Sequence, residues 1–233
     1  MLAALLALSA TPLRAAVGCT LNDPDRDIMR IFPEATNYST DFISIEERGG
    51  RPLYLRIEER LGDELDDVYE APDVAYAYYT VLEGDELIGR VHGVNQKGTF
   101  GGMQLILATD PEGVIVDFYY QRLSSPEAVR FTDETFTGQF VGLTLLDLRG
   151  GESPDREIGR EVVDPSVKSA GDFEATVRGV RKNLILLDEF MLGNRYLERA
   201  RATGVGAATD EPPAESPLRP APGRTTTEEG SND

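Results

Sequence analysis

The residues best suited by type and spacing to do chemistry are the glycines of Gly98-Thr99-Phe100-Gly101-Gly102. Successive backbone N–H groups in such a loop can contact an anion or a cofactor. A Walker loop needs Gly-Lys-Ser/Thr ahead of a helix, and a dinucleotide turn needs strand, GxGxxG, then helix. Here an apolar run of strand type, residues 103–109, follows instead. The nucleotide-fold readings fail, and glycines that simply allow positive φ are the plainer expectation. Other reactive side chains are few. With one histidine, His92, and one cysteine, Cys19, an intramolecular disulfide, a cysteine-based zinc or iron–sulfur centre and a histidine-rich metal site are excluded. His92 sits in a strand-like run with no nucleophile elbow nearby, and is expected to be an ordinary strand residue rather than a catalytic base. A stand-alone hydrolase or transferase therefore has little to build on. The acidic cluster Asp63, Glu64, Asp66, Asp67 and Glu70 lacks the alternating ligands of an EF-hand loop and reads as a solvated helix face.

These residues need elements to hold them. The 233 residues, 40% apolar and 27% charged, allow one sizeable domain with appendages or two small ones. A net charge of −18 disfavours nucleic acid and anionic lipid as partners and aids solubility. Residues 25–32 predict a short helix stopped by Pro33, and residues 37–46 alternate as a strand does. Gly49-Gly50 predicts a turn. Leu53, Ile57, Leu61, Leu65 and Val68 then predict an amphipathic helix weakened by Gly62. Residues 74–82 and 87–94, joined by Glu83-Gly84-Asp85, predict a hairpin. Residues 103–109 and 114–120 flank the turn Asp110-Pro111-Glu112-Gly113. Four strands in succession predict an antiparallel meander, one face of which the helices cover. Residues 133–140 read as a short helix, residues 141–148 as a further strand or helix end, and residues 150–165 as polar and irregular. Phe173, Val177, Val180, Leu184, Leu187 and Met191 recur at spacings of four and three, predicting the longest helix, continuing toward Tyr196. Ser169-Ala170-Gly171-Asp172 has the form of a capping box. The expected fold class is α+β: an antiparallel β-meander packed with helices, with a long C-terminal amphipathic helix.

The ends differ from this body. Residues 1–19 carry an apolar run broken by Pro12 and too short to cross a membrane. They read as a signal or lipoprotein-like segment, in which Ala16-Val17-Gly18-Cys19 is similar to a processing box and Cys19 is the lipidation candidate. That places the protein outside the cytoplasm, in a periplasm-like compartment, with a membrane anchor if Cys19 is lipidated. Residues 20–203 form the expected domain. Residues 204–233, rich in Pro, Glu, Ser, Thr and Gly, predict a disordered acidic tail.

Four segments carry a resemblance. They are Ile31-Phe32-Pro33-Glu34-Ala35; Leu87-Ile88-Gly89; the run from Gly101-Gly102-Met103 through Asp110-Pro111-Glu112-Gly113-Val114-Ile115; and Gln139-Phe140-Val141-Gly142. Their order resembles the FMN-binding domain family, which includes the extracytoplasmic flavoprotein subunits of Rnf-type and sodium-pumping quinone reductase complexes and NosR-type membrane regulators. The resemblance covers roughly two-thirds of the chain, residues 32–187. It implies FMN as cofactor and electron transfer outside the cytoplasm, with membrane-bound redox or complex subunits as partners. It also implies flavin contacts at Thr99, Gly101 and Gly102, at Ser124 and Ser125, and at Ser169, with Lys168 as the phosphate counter-charge. The family's covalent form esterifies FMN to the last Thr of Ser/Thr-Gly-Ala-Thr-x-Thr, and the helix register places Asp172 at that position. An aspartate cannot form that ester, and Ser169 and Thr176 are out of register, so covalent attachment is not expected. The family's Glu-Thr-Pro-Gly loop is altered as well, to Leu123-Ser124-Ser125-Pro126-Glu127. Two expectations follow: a noncovalent FMN electron-transfer domain of an envelope redox system, or a flavin-free degenerate member serving as an accessory or scaffold subunit of a membrane-associated complex.

Overall fold

A computed structural model describes residues 19–148 and 162–202. The leader-like residues 1–18, the tail 203–233 and most of the polar segment after residue 148 lie outside them. The elements run α1 (Pro24–Ile31), β1 (Asn37–Ser44), α2 (Ile45–Leu61), β2 (Ala75–Glu83), β3 (Glu86–Lys97), β4 (Gly102–Thr109), β5 (Ile115–Leu123), α3 (Ala128–Phe131), α4 (Glu134–Thr137), α5 (Ala170–Phe190) and α6 (Arg195–Ala202). The strands form one antiparallel sheet in the order β1-β2-β3-β4-β5, as a chain of short connections between successive strands favours. The α+β meander expected from the sequence is what the chain forms.

Both faces of the sheet are covered, not one. On one face Tyr76, Tyr78, Met103, Leu105 and Leu107 pack with Leu53, Ile57 and Leu61 of α2 and with Val180, Leu184 and Leu187 of α5. On the other, Ala77, Tyr79, Val81, Ile106 and Ala108 pack with Ile28 and Phe32 at α1 and with Cys19 and Leu21. Successive strand residues point to opposite faces. Strands buried on both sides therefore read as continuous apolar runs, which is why β2 and β4 show no polar alternation.

Several local expectations change. Gly49-Gly50 is no separate turn; it lies within α2, which bends at Gly50 (φ 58°, ψ −148°) and continues past Pro52. Gly62, at φ 70°, ends α2 in the left-handed cap that glycine adopts at little cost. The helix therefore does not reach Leu65 and Val68, and Val68 is 67% exposed. The acidic cluster at residues 63–70 is not a helix face, and its Glu70 is buried at 1% exposure. Residues 141–148 are turns, bridged to β5 by Ile115 N–H to the Leu143 carbonyl (2.9 Å) and Gly142 N–H to the Ile115 carbonyl (2.8 Å). The long helix stops at Phe190 rather than running on to Tyr196, and α6 starts after Gly193 and Asn194, both at positive φ.

Helix α5 lies between the sheet and α2, and 14 of its 21 residues are buried. Gly179 lets it approach closely, since a β-carbon there would overlap Leu105 and crowd Gln96. Toward α2, Arg56 donates to Glu189 (2.7 Å), and Arg60 to Glu189 (2.6 Å) and Asp188 (2.5 Å). The second Asp188 oxygen accepts from the Tyr196 N–H (3.0 Å) at the start of α6.

Candidate functional site

Three segments meet at the N-terminal end of α5. The first is the β3–β4 loop, residues 98–101, closed by the Gly98 N–H on the Gly101 carbonyl (2.8 Å). Gly101 sits at φ 139°, a conformation glycine alone takes readily, and lies against Ser124. The second is the β5–α3 connection, residues 124–127, in which the Ser125 hydroxyl accepts from the Glu127 N–H (3.3 Å). The third is the approach to α5, residues 167–169, together with its first turn. The candidate contacts Thr99, Gly101, Gly102, Ser124, Ser125, Lys168 and Ser169 thus fall on one end of the molecule.

Three backbone donors there, the N–H groups of Thr99, Val167 and Lys168, are engaged by the protein's own carboxylates. Asp172 Oδ1 accepts from the Thr99 N–H at 2.8 Å. Asp172 is fully buried, and its Oδ2 has no partner. Glu127 accepts from the Val167 N–H (3.1 and 3.2 Å) and the Lys168 N–H (2.8 Å). The Lys168 N–H, acting with the Val167 N–H against the cost of burial, holds the Glu127 carboxyl below the usual glutamate value. These bonds replace the expected capping box: the Ser169 side chain makes no cap bond, and Asp172 turns to Thr99 instead.

The expected roles shift accordingly. The Lys168 side chain is exposed, and its backbone N–H rather than its ammonium serves the site. Ser169 is buried, with its hydroxyl toward the Glu127 carboxylate rather than on the helix N–H groups. Gly102 is covered by the Tyr69 ring. Thr176 Oγ1 donates to the Asp172 carbonyl (2.8 Å) and meets the Tyr120 hydroxyl (2.8 Å), closing the floor beneath Asp172. A phosphate does not fit beside Asp172 and Glu127: it would meet a buried carboxylate oxygen, and the Thr99, Val167 and Lys168 N–H groups already have anionic partners.

His92 is an interior residue of β3, stacked on Tyr78 at 5.2 Å between ring centres, and burial pulls its pKa down to about 3. Cys19 is buried beside Gly93 on the opposite face, and burial pushes its thiol up to about 12. A lipid on that sulfur requires residues 19–21 to leave the sheet. The residues that sequence reasoning missed are Glu70, Arg178 and Lys182. Lys182 is fully buried, donating to Glu70, to the Asn95 carbonyl (2.7 Å) and to Gln96 (3.1 Å). Its one sequence signal is the four-residue spacing from Arg178. Among the described residues there is no group of three or more His, Cys, Asp or Glu that could hold a metal, and no helix long and apolar enough to cross a membrane.

No protein-family model and no curated protein matches this chain. The FMN-binding resemblance therefore rests on the sequence segments quoted above alone.

Proposed function

We propose that this chain is a flavin-free member of the FMN-binding type of domain, acting as an accessory or scaffold subunit of a membrane-associated complex outside the cytoplasm. The observation that carries this reading is the pair of internal carboxylates, Asp172 on the Thr99 N–H and Glu127 on the Val167 and Lys168 N–H groups. Each occupies backbone donors beside the start of α5, where the resemblance would put a flavin phosphate, and each adds negative charge there. The second reading, noncovalent FMN and electron transfer, is favoured by one observation, the convergence of Thr99, Gly101, Ser124 and Ser169 at one helix start. It requires both carboxylates to be displaced.

Purification of the full chain from its native cells under mild conditions tests the proposal. Stoichiometric co-purification with membrane or redox subunits, with no flavin released on denaturation, is the expected result. A flavin-loaded chain, or one recovered alone after cross-linking in the cells, overturns it.

A further inference from the structure

The segment joining α2 to β2, residues 62–74, runs beside the middle of α5, at Arg178 and Lys182, without forming a helix or strand. Backbone bonds tie it to the body near its ends: Asp63 N–H to the Glu58 carbonyl (3.4 Å), and Glu46 N–H to the Pro72 carbonyl (2.9 Å). Its apolar anchors are Leu65 and, at its far end, Val74 with Ala71, while Val68 is exposed. Between its ends it is held largely by side chains. Arg178 donates to Asp63 (2.6 Å), to the Glu64 carbonyl (2.7 Å) and to Glu70 (2.8 Å), and Lys97 lies 3.5 Å from Asp66. At the centre, the Glu70 carboxylate enters the interior and meets Lys182, which is also bonded to Gln96 and to the Asn95 carbonyl.

We propose that Arg178, Lys182 and Gln96 form a carboxylate-binding pocket, closed in this state by the strap of residues 62–74 with Glu70 as its built-in ligand. The inference is independent of whether the chain binds flavin. A buried ion pair is a costly way to hold a loop, because desolvation opposes the attraction and apolar residues of similar volume commonly hold as well or better. The pair makes sense as a latch: it is strong when both partners are present and leaves a cationic pocket when the strap lifts. Burial pulls the Lys182 pKa down to about 8, with Glu70 opposing that shift; Glu70 in turn, despite its own burial, is held below the usual glutamate value by Lys182 and Arg178, so the pair is charged at neutral pH. The pocket's ligand class is a carboxylate, such as the acidic side chain of a partner that displaces Glu70.

Chemical rescue tests this with the full chain and acetate as probe. In Glu70→Ala, hydrogen exchange of residues 62–74 is expected to accelerate about tenfold or more relative to α5 and β3. Saturating sodium acetate, against sodium chloride at equal ionic strength, is expected to slow it about tenfold. The native chain and the Glu70→Met/Lys182→Met double variant are expected to show no acetate response. Glu70→Gln, which keeps the shape, serves if Glu70→Ala does not fold, and is expected to raise strap exchange in excess of core exchange. The pocket is refuted if acetate does no more than chloride in a folded Glu70→Ala. The strap is refuted if its amides exchange in step with α5 in every variant.

Discussion

Asp172 and Glu127 each hold a backbone N–H group of a neighbouring segment, and so do two jobs: they tie three loops together and they set the sign of charge at the start of α5. Removing the Asp172 carboxylate leaves the Thr99 N–H without its charged acceptor, and Asp172→Ala is expected to cost about 1–3 kcal/mol of stability by denaturant unfolding. The double variant Asp172→Ala/Glu127→Ala frees both sets of donors. Its melting temperature is expected to rise with added inorganic phosphate while that of the native chain does not. His92 supplies a separate residue-scale prediction, because it is the chain's one histidine. Its folded pKa, about 3, lies below the ordinary value of 6.5, so the unfolded chain binds the extra proton between those values. Stability must then fall as pH falls below 6.5, approaching about 1.4 kcal/mol per pH unit. Glu70 and Glu189, whose values are lowered, add losses only below the ordinary glutamate range. Urea unfolding of native and His92→Phe protein between pH 6.5 and 5 is expected to show this slope in the first and not in the second.

At the scale of elements, α5 is the organising piece. Its residues Asp172, Thr176, Gly179 and Asn183, spaced four, three and four, are all buried. Gly179→Ala adds a β-carbon that overlaps Leu105, so it is expected to destabilise by about 1–3 kcal/mol in thermal or denaturant unfolding. Helix propensity alone predicts a gain of about 1 kcal/mol, so the sign of the change decides whether the helix sits this close to the sheet. The strands were legible as β-branched and aromatic runs bounded by turn residues, and the apolar spacing of α5 as a 3.6 period, all of them local signals. The polar residues of α5 were not. Lys182, Asn183, Asp188 and Glu189 lie off the apolar stripe of the helix, and they become interior only because the 62–74 segment, His92 of the sheet, α6 and α2 pack against them. Glu70 was misread for the same reason, together with a helix carried past the cap at Gly62. Of the site, Asp172 was visible as a substitution at a helix start, whereas the bonds of Glu127 to residues 167 and 168 join positions forty apart and have no local trace.

At the scale of the whole molecule, the sheet is covered on both faces and its loops gather at one end of α5, where the chain supplies its own anions. An acidic chain of net charge −18 compounds this by repelling a dianionic phosphate before it reaches the loops. The proposed accessory role follows from a site that is assembled and internally filled, and it makes flavin binding the deciding quantity. Titration of FMN fluorescence with the native full-length chain is the most direct measurement. The account predicts no saturable quenching with FMN and protein up to about 100 µM, the range in which even weak specific sites fill. Saturable one-to-one quenching at micromolar concentrations, with Asp172 and Glu127 intact, would contradict it.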